Sequence, residues 1–418
     1  MKSVEDCLRS DVLVIGAGFG GIAAALRLRA KGYSVTLVDR LGVIGGRAQI
    51  FEKDGFRHDA GPTLITAPFL FEELFELFGE DLKQFLDFRP LDPWYRFYFP
   101  DGREFDYCAS IESTKEEIQK FNPDDVEGYD GLLTASKNIF EVGFTRLASE
   151  PFLKVSKMLN QVPDLLRLHS YKTVSELISK YIKHPFLRQA FSIYPLLVGG
   201  NPFSTTSVYS LIHYLERRWG VFFCMGGTGK LVKELECLLT RVGVQVFYEV
   251  DITKILVEDK RARGARSAGG QVFLADRVIC NCDPPTVYKD MLPKTAWYNK
   301  RVIPEWATKY SMGLFVLYFG TRIQYPDVAH HTIWLGKRFK ELLVDIFDKR
   351  ILADDFSLYI HRPTATDSSF APLGCDSFYV LCPVPNLLAD IDWATSGPQL
   401  KESIVNALDD TILPGLNN

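Results

Sequence analysis

The stretch that decides the fold is DVLVIGAGFGGIAAALRLRAKGYSVTLVD, residues 11–39. It contains a largely apolar, strand-like run at 11–15, a helical pattern over about 20–31 and a second strand-like run at 33–38. Strands that are apolar at every position are typical of a parallel sheet covered on both faces. The stretch therefore predicts a strand–helix–strand unit of a Rossmann-like α/β domain.

The turn between the first strand and the helix is glycine-rich, GAGFGG at 16–21. Gly16 permits the tight turn, Gly18 lets the backbone approach a pyrophosphate, and Gly21 lets the helix pack against the strand. The helix N-terminus then faces the phosphates with its partial positive charge. Asp39 ends the second strand, where a carboxylate accepts ribose hydroxyls and disfavours a phosphorylated ribose. These features together predict a dinucleotide site.

A second glycine motif, GGRA at 45–48, follows the acid, and DAGPT follows at 59–63. Arg47 can bind the pyrophosphate through a bidentate guanidinium. The GGR segment resembles the second flavin signature of the amine-oxidase-like superfamily, so FAD is the expected cofactor. The predicted cofactor-binding residues are Gly16, Ala17, Gly18, Phe19, Gly20, Gly21, Asp39, Arg40, Gly45, Gly46, Arg47, Gly61, Pro62, Thr63 and Val250.

The overall composition is that of a folded protein: 418 residues, 47% hydrophobic, 24% charged, with a net charge of −4. The interspersed charges exclude a nucleic-acid-binding surface as the expected function. The aromatic share of 13% indicates either a large core or contact with an apolar ligand or a membrane. Charged residues interrupt the N-terminus, and no apolar run reaches the ~18 residues of a spanning helix. A cytoplasmic location, peripheral on a membrane, is therefore expected.

Three other patterns resemble different kinds of site. The segment GGTGK at 226–230 has Cys224 and Leu231 where a P-loop needs glycine and Ser or Thr, so it is interpreted as a turn that opens a helix. His330 and His331 are adjacent and would point to different faces of a strand, so no metal site is predicted. The cysteines, including the pair in VICNC, are expected to be core thiols in a reducing compartment. No catalytic residue is assigned.

The order of patterns predicts a discontinuous arrangement of domains. The nucleotide domain is expected at 1–107 and 222–290, with a hairpin at 92–107. A mostly helical region at 108–221 is expected to face the substrate or the membrane. Residues 291–418 are predicted to contribute substrate-domain strands and a final helix.

Six segments carry a resemblance that extends over 11–416. They are VIGAGFGGIAAALRL (14–28), GGRAQIFEKDGFRHDAGPTLIT (45–66), FNPDDVEGY (121–129), LLVGGNPFSTTSVYSLIHYLER (196–217), WGVFFCMGGTGKLV (219–232) and DFSLYIHRPTATDSS (355–369). Through them the chain resembles the bacterial-type phytoene desaturases, carotenoid-desaturating FAD enzymes of the amine-oxidase-like superfamily.

The resemblance implies a glutathione-reductase-like FAD domain with an inserted α+β substrate domain. It implies conversion of phytoene to neurosporene or lycopene at a membrane surface, with a hydride passing to the flavin and a proton leaving at each step. A quinone or oxygen would reoxidise the flavin. A long apolar carotenoid offers no hydrogen-bonding group, so apolar walls must hold it. A C30 desaturase, a carotenoid isomerase, a ketolase and an inactive truncated flavin-binding paralogue stay open as alternatives.

Two apolar segments are candidates for the carotenoid tunnel or the bilayer surface: FLFEELFELFG at 69–79 and the stretch 139–168. In the second, Lys154, Lys157 and Arg167 interleave with apolar residues, as in an interfacial helix. An ordinary amphipathic helix packed on a core has the same pattern.

Two departures from the family pattern affect the expected activity. Some family members have Asp and Arg near a helix where this chain has Lys157 and Asn160, so no side-chain base is assigned there. A final helix is predicted at about 398–413, and the chain ends at Asn418, whereas family members continue into a glycine-rich segment beside the flavin. With that C-terminal FAD segment absent, weak FAD retention and low activity are expected.

Overall fold

The structure is a computed structural model that describes residues 8–146, 162–294 and 308–417. The chain forms two compact units. The first comprises Met1–Glu52, Asp59–Arg89 and Phe223–Lys309, and the second Lys53–His58, Pro90–Phe222 and Tyr310–Asn418.

The elements are numbered along the chain. The strands are β1 (Leu8–Ile15), β2 (Val35–Val38), β3 (Gln49–Lys53), β4 (Phe56–Ala60), β5 (Phe88–Pro90), β6 (Tyr95–Tyr98), β7 (Glu104–Tyr107), β8 (Phe222–Cys224), β9 (Gln245–Phe247), β10 (Ile252–Glu258), β11 (Arg261–Ser267), β12 (Val272–Cys280), β13 (Gly313–Thr321), β14 (His331–Trp334), β15 (Leu358–His361) and β16 (Asp376–Val384). The helices are α1 (Phe19–Ala30), α2 (Phe69–Glu76), α3 (Ile111–Phe121), α4 (Asp125–Phe140), α5 (Val162–Arg167), α6 (Val174–Tyr181), α7 (Pro185–Phe191), α8 (Tyr194–Leu197), α9 (Leu211–Trp219), α10 (Gly227–Arg241), α11 (Pro284–Thr286), α12 (Phe339–Val344) and α13 (Trp393–Asp409).

The first unit is built on a six-stranded sheet in the order β10-β11-β12-β1-β2-β9. The strands β12, β1, β2 and β9 run parallel, and β10 and β11 join as an antiparallel extension. Val12, Leu13 and Val14 of β1 are fully buried, as the continuous apolar run predicted. The predicted β1–α1–β2 unit of a Rossmann-like domain is therefore confirmed.

The second unit contains a six-stranded sheet in the order β13-β16-β15-β14-β6-β7. All neighbours are antiparallel except β14 and β6, which are parallel. Ile360, Phe378 and Val380 form its core with Ile404 and Leu408 of α13, and all five are fully buried.

The hairpin predicted at 92–107 exists as β6 and β7, but the sequence placed it in the nucleotide domain. This placement is wrong, because β6 pairs with β14 and the hairpin belongs to the second unit. Hairpin formation is local, whereas the choice of sheet depends on a strand more than two hundred residues further along the chain.

The predicted helical region contains α3 to α9. An aromatic core fixes it: the Phe191 ring stacks on Tyr129, with ring centroids 5.4 Å apart, and meets Tyr107 edge-on at 5.6 Å. Arg217 of α9 lies over the Tyr107 ring and donates to the Tyr129 hydroxyl at 2.9 Å.

Of the two apolar segments that are candidates for the carotenoid tunnel or the bilayer surface, the structure describes the first and only part of the second. The segment 69–79 contains α2, whose Leu74 and Phe75 are buried in the first unit, so it packs as an ordinary amphipathic helix. Much of 139–168, including Lys154, Lys157 and Asn160, lies outside the described residues. Within the described ranges, no helix has the length and apolarity to traverse a bilayer.

The final helix begins five residues before its predicted start. Asp392 accepts a hydrogen bond from the backbone N–H of Ala394 at 3.1 Å and so caps α13 at Trp393. The sequence prediction began the helix at Pro398, but the structure has Pro398 inside α13, where the proline removes one backbone hydrogen bond without ending the helix.

Candidate flavin-binding site

A cleft of about 790 Å³ opens where β1, β2 and β12 end at their carboxyl edge. Ligands bind at this edge in doubly wound α/β sheets. Its lining residues are Ile15, Gly16, Gly18, Phe19, Val38, Asp39, Arg40, Leu41, Gly45, Gly46, Arg47, Ala48, Pro62, Val250, Asp251, Ile252, Thr253, Asn281, Cys282, Asp283, Thr286, Asp290 and Met291.

The floor of the cleft is the turn between β1 and α1. Gly16 has a φ of +94°, which favours glycine, and its N–H donates to the Val38 carbonyl at 2.8 Å. A Cβ at Gly21 would lie only 1.9 Å from the Gly16 carbonyl oxygen. The third glycine therefore allows α1 to begin directly behind the turn and to point its N-terminus at the cleft.

The GGR segment lies against the first glycine motif. The Gly45 N–H donates to the Ala17 carbonyl at 2.8 Å, and Gly18 and Gly45 form a β-bridge. A Cβ at Gly46 would lie 2.9 Å from the Gly18 Cα. Because neither glycine carries a side chain, the two motifs form one bare backbone surface on which a ligand can lie.

Asp39 is buried at the end of β2, and its carboxylate organises the turn. One oxygen accepts from the Ala17 N–H at 2.6 Å and the other from the Leu41 N–H at 2.9 Å. An ionised carboxylate has about four acceptor positions, so it keeps capacity for hydroxyl donors from a ligand.

The N-terminus of α10 holds the DAGPT segment. The Thr228 N–H donates to Asp59 Oδ2 at 3.0 Å, and the Thr228 hydroxyl donates to the Pro62 carbonyl at 2.6 Å. Gly226, at φ +82°, precedes the helix. The GGTGK segment thus opens a helix, as predicted.

The structure brings most of the predicted cofactor-binding residues to the cleft. Those that line it are Gly16, Gly18, Phe19, Asp39, Arg40, Gly45, Gly46, Arg47, Pro62 and Val250. Five predicted residues are not part of the lining: Ala17, Gly20, Gly21, Gly61 and Thr63. A Cβ at Gly61 would lie 2.3 Å from the Arg47 carbonyl oxygen, so the DAGPT segment packs closely on the GGR segment. Binding by these residues stays a prediction.

Sequence reasoning missed the contribution of the segment after β12. Asn281, Cys282 and Asp283 line the cleft, and the Asn281 N–H donates to the Ile15 carbonyl at 2.8 Å. The sequence predicted buried core thiols here, but Cys280 and Cys282 are only half-buried. A hydrogen bond from the Cys282 thiol lowers the pKa of Cys280 below its usual value. The polar residues that directly follow a predicted strand end could have indicated that this segment reaches the cleft.

Arg47 extends along the cleft with an exposed side chain. Its guanidinium lies 3.4 Å from the Asp283 carboxylate, and both side chains are more than 70% exposed. Exposed pairs of this kind contribute little, so the guanidinium can turn to a bound anion at small cost.

A buried carboxyl group lies in the second unit. Glu216 of α9 accepts a hydrogen bond from the Tyr95 hydroxyl at 2.7 Å and another from the Tyr194 hydroxyl. Burial raises the pKa of Glu216 from 4.5 to about 7, although the two hydroxyl donors oppose the shift. No sequence pattern indicated this cluster, because its members come from three separate elements.

The prediction that the His330 and His331 side chains point apart is wrong. The His330 and His331 ring centroids lie 4.5 Å apart, and His361 lies within 5.1 Å of both. His330 precedes β14, so the alternation of side chains along a strand does not separate it from His331.

Comparison with known proteins identifies the family. The profile of flavin containing amine oxidoreductases matches residues 19–348, and the chain belongs to this family, whose cofactor is a flavin. A solved oxidoreductase from Methanosarcina mazei shares the fold, with a TM-score of 0.64 and 16% identity over 98% of this chain and 85% of its own.

The curated relatives narrow the assignment. A lycopene-forming phytoene desaturase from Paracoccus sp. is 44% identical over 97% of this chain and 81% of its own length. A neurosporene-forming phytoene desaturase from Rhodobacter capsulatus is 38% identical over 97% of this chain and 78% of its own length. Within the family, the chain groups with the phytoene desaturases.

Proposed function

We propose that the chain is an FAD-dependent desaturase that converts phytoene into lycopene or neurosporene by removing hydrogen from neighbouring carbon atoms. The observation that carries this proposal is the 44% identity, over 97% of the chain, to a lycopene-forming phytoene desaturase. A quinone or oxygen is the proposed electron acceptor. A bound flavin supplies the hydride-accepting chemistry that amino-acid side chains lack.

The shape of the cleft supports FAD as the particular flavin. Its bare glycine floor and the N-terminus of α1 suit a pyrophosphate, and Asp39 suits ribose hydroxyls. Val250 lies beside the Asp39 backbone, because its N–H donates to the Asp39 carbonyl at 2.8 Å, and it lines the cleft as an apolar neighbour for adenine. A flavin mononucleotide lacks the adenosine half that this end of the cleft fits.

Titration with FAD tests the role of Arg47. We expect Arg47→Gln to weaken FAD binding about tenfold, which corresponds to ~1.4 kcal/mol, because a charge-assisted contact to the pyrophosphate is lost. The matched control is Arg89→Gln, an exposed arginine of the same unit that pairs with Asp87 outside the cleft lining. Equal affinities for Arg47→Gln and wild type would remove Arg47 from the site.

The activity assay combines the chain, FAD, phytoene-loaded liposomes and a quinone, followed by extraction of pigment. We expect coloured polyenes whose absorption bands distinguish neurosporene from lycopene. Conversion of a C30 substrate with no conversion of phytoene would assign the chain to the C30 desaturases instead.

We also propose a peripheral location on the cytoplasmic side of a membrane, because an apolar carotenoid partitions into the bilayer. Exposed apolar side chains at 197–198 and 387–388 of the second unit support it. The two pairs flank Ser311, whose carbonyl accepts from Asn386 Nδ2 at 2.9 Å and whose Cβ lies beside Gly199. We call residues 197–198 and 387–388 the apolar patch.

Flotation with phosphatidylcholine liposomes tests this contact. Leu387→Asp combined with Leu388→Asp is expected to leave the chain in the soluble fraction, because two charges must then enter the interface. Leu373→Asp is the matched control: Leu373 is fully exposed but lies before the start of β16, roughly 30 Å along the strand from the patch. Equal flotation of both variants would contradict the proposed surface.

A further inference from the structure

Three histidines of the second unit form a buried cluster on neighbouring strands. His331 begins β14 and lies directly opposite His361 of β15 in the antiparallel register. Their rings stack with centroids 5.1 Å apart and an interplanar angle of 18°, and His330 joins them from the residue before β14. Each of the three is 5% exposed or less.

The ring nitrogens are close to the spacing that a metal ion requires. One nitrogen from each ring lies within 4.8 Å of those from the other two. A point at the centre of such a triangle is at most about 2.8 Å from each nitrogen. Since a Zn–N bond is about 2.0–2.1 Å, a movement of roughly 0.7 Å per ring would complete the coordination.

Hydroxyl groups hold two of the rings in place. His331 Nδ1 lies 2.7 Å from the Tyr359 hydroxyl, and His330 Nδ1 lies 2.6 Å from Thr366 Oγ1. Metal-binding histidines commonly use the second ring nitrogen in this way, which fixes the tautomer and the ring orientation.

His331 Nε2 is fully buried and has no hydrogen-bond partner among the described residues. A buried polar atom without a partner is unfavourable, and a coordinated metal ion would supply the missing partner. The observation is independent of the spacing and points to a ligand inside the cluster.

The charge next to the cluster does not exclude a cation. Arg362 follows His361, and its guanidinium lies 3.1 Å from Asp376 Oδ2 in a buried ion pair. The carboxylate offsets the repulsion between the guanidinium and a dication.

We propose that His330, His331 and His361 form a binding site for one divalent transition-metal ion of the zinc class. Imidazole nitrogens suit Zn²⁺, Co²⁺, Ni²⁺ and Cu²⁺, whereas Mg²⁺ and Ca²⁺ prefer oxygen ligands. The site lies in the sheet of the second unit, shares no residue with the lining of the flavin cleft and goes beyond the proposed desaturase activity.

The test measures metal bound to the tag-free full chain produced with added Zn²⁺ and purified without chelators. Elemental analysis is expected to find about one zinc ion per chain, as for a single histidine site. His331→Gln combined with His361→Gln is expected to lose at least nine-tenths of it. His213→Gln is the matched control, because His213 is an equally buried histidine that contacts the Phe191 carbonyl and lies outside the cluster.

Two further measurements on the wild-type chain keep the test valid if the double variant fails to fold. Replacement of zinc by Co²⁺ should give the visible ligand-field bands of imidazole-bound cobalt, and added Zn²⁺ should raise the Tm of the metal-depleted chain. Zinc content no higher than that of a folded double variant would overturn the proposal, as would the absence of both the cobalt bands and the Tm shift. Neither readout depends on flavin or phytoene, so failure of the metal-site proposal can be distinguished from failure of the desaturase proposal.

Discussion

The close approach of α1 to the turn after β1 gives a sharp test of the cleft geometry. Gly21→Ala places a Cβ 1.9 Å from the Gly16 carbonyl oxygen and 3.1 Å from its carbon. Because Cβ atoms in proteins essentially never approach closer than 3.0 Å, the helix must retreat by about 1 Å. The atoms in the way belong to the backbone, so no side-chain rotation relieves the contact.

The expected cost has two parts. Overpacking of this kind typically lowers the free energy of unfolding by about 1–3 kcal/mol. The retreat also moves the helix N-terminus that faces the proposed pyrophosphate, so we expect FAD affinity to fall at least tenfold, about 1.4 kcal/mol. Flavin fluorescence titration measures the affinity, and urea denaturation measures the stability.

The matched control is Gly269→Ala in the same unit. The nearest atom to a Cβ there is Ser267 Oγ at 3.8 Å, which is ordinary van der Waals contact. We expect wild-type FAD affinity and stability from this variant. If Gly21→Ala were to bind FAD as tightly as Gly269→Ala, the glycine would not set the position of the helix, and the reasoning would be refuted.

Three further predictions follow from buried polar groups. The pKa of Glu216 is raised from 4.5 to about 7, so the stability that its protonated carboxyl contributes is present below pH 4.5 and is lost as the pH rises through about 7. The free energy of unfolding, measured by urea denaturation, should fall by roughly 3 kcal/mol over this range, and Glu216→Gln should remove that fall. An unchanged pH dependence in the variant would contradict the assignment. Arg362→Met should lower the free energy of unfolding by about 3–5 kcal/mol, because it leaves the buried Asp376 carboxylate without its cationic partner. Adding Asp376→Asn should reduce this loss, and chemical denaturation of both variants measures the difference. A double variant at least as unstable as the single one would refute this reasoning. Asp39→Asn removes the acceptor for one of the two backbone N–H groups of Ala17 and Leu41, so FAD affinity should fall about tenfold. Unchanged affinity in the fluorescence titration would exclude Asp39 from the site.

The first unit was predictable where its signals are local. The apolar run before Gly16 and the glycines after it define β1, the turn and α1 without reference to the rest of the chain. The contact between Gly18 and the GGR segment could also be anticipated, since both motifs suit a pyrophosphate.

The parts of the site that were missed depend on long-range pairing. Asn281 and Asp283 reach the cleft only because β12 pairs with β1, and nothing within β12 specifies that neighbour. The same holds for Glu216, whose partners Tyr95 and Tyr194 come from β6 and α8. Sequence periodicity identifies a buried face but not which face covers it.

The histidine cluster shows the limit of the alternation rule. The rule applies to residues within a strand, and His330 lies one residue before β14 begins. His361 is brought to the other two by the register of β14 and β15, which adjacency in sequence cannot reveal.

The most direct test of the central claim is a single turnover without oxygen or quinone. The chain is loaded with FAD and mixed with phytoene in liposomes, and the visible absorption of the oxidised flavin is recorded over time. We predict that phytoene abolishes this absorption while one double bond forms for each flavin reduced, seen as a longer-wavelength ultraviolet band of the extracted polyene, and that fully hydrogenated phytoene, which lacks allylic C–H bonds, leaves the flavin absorption unchanged. Flavin that is bound yet stays oxidised in the presence of phytoene would contradict the account.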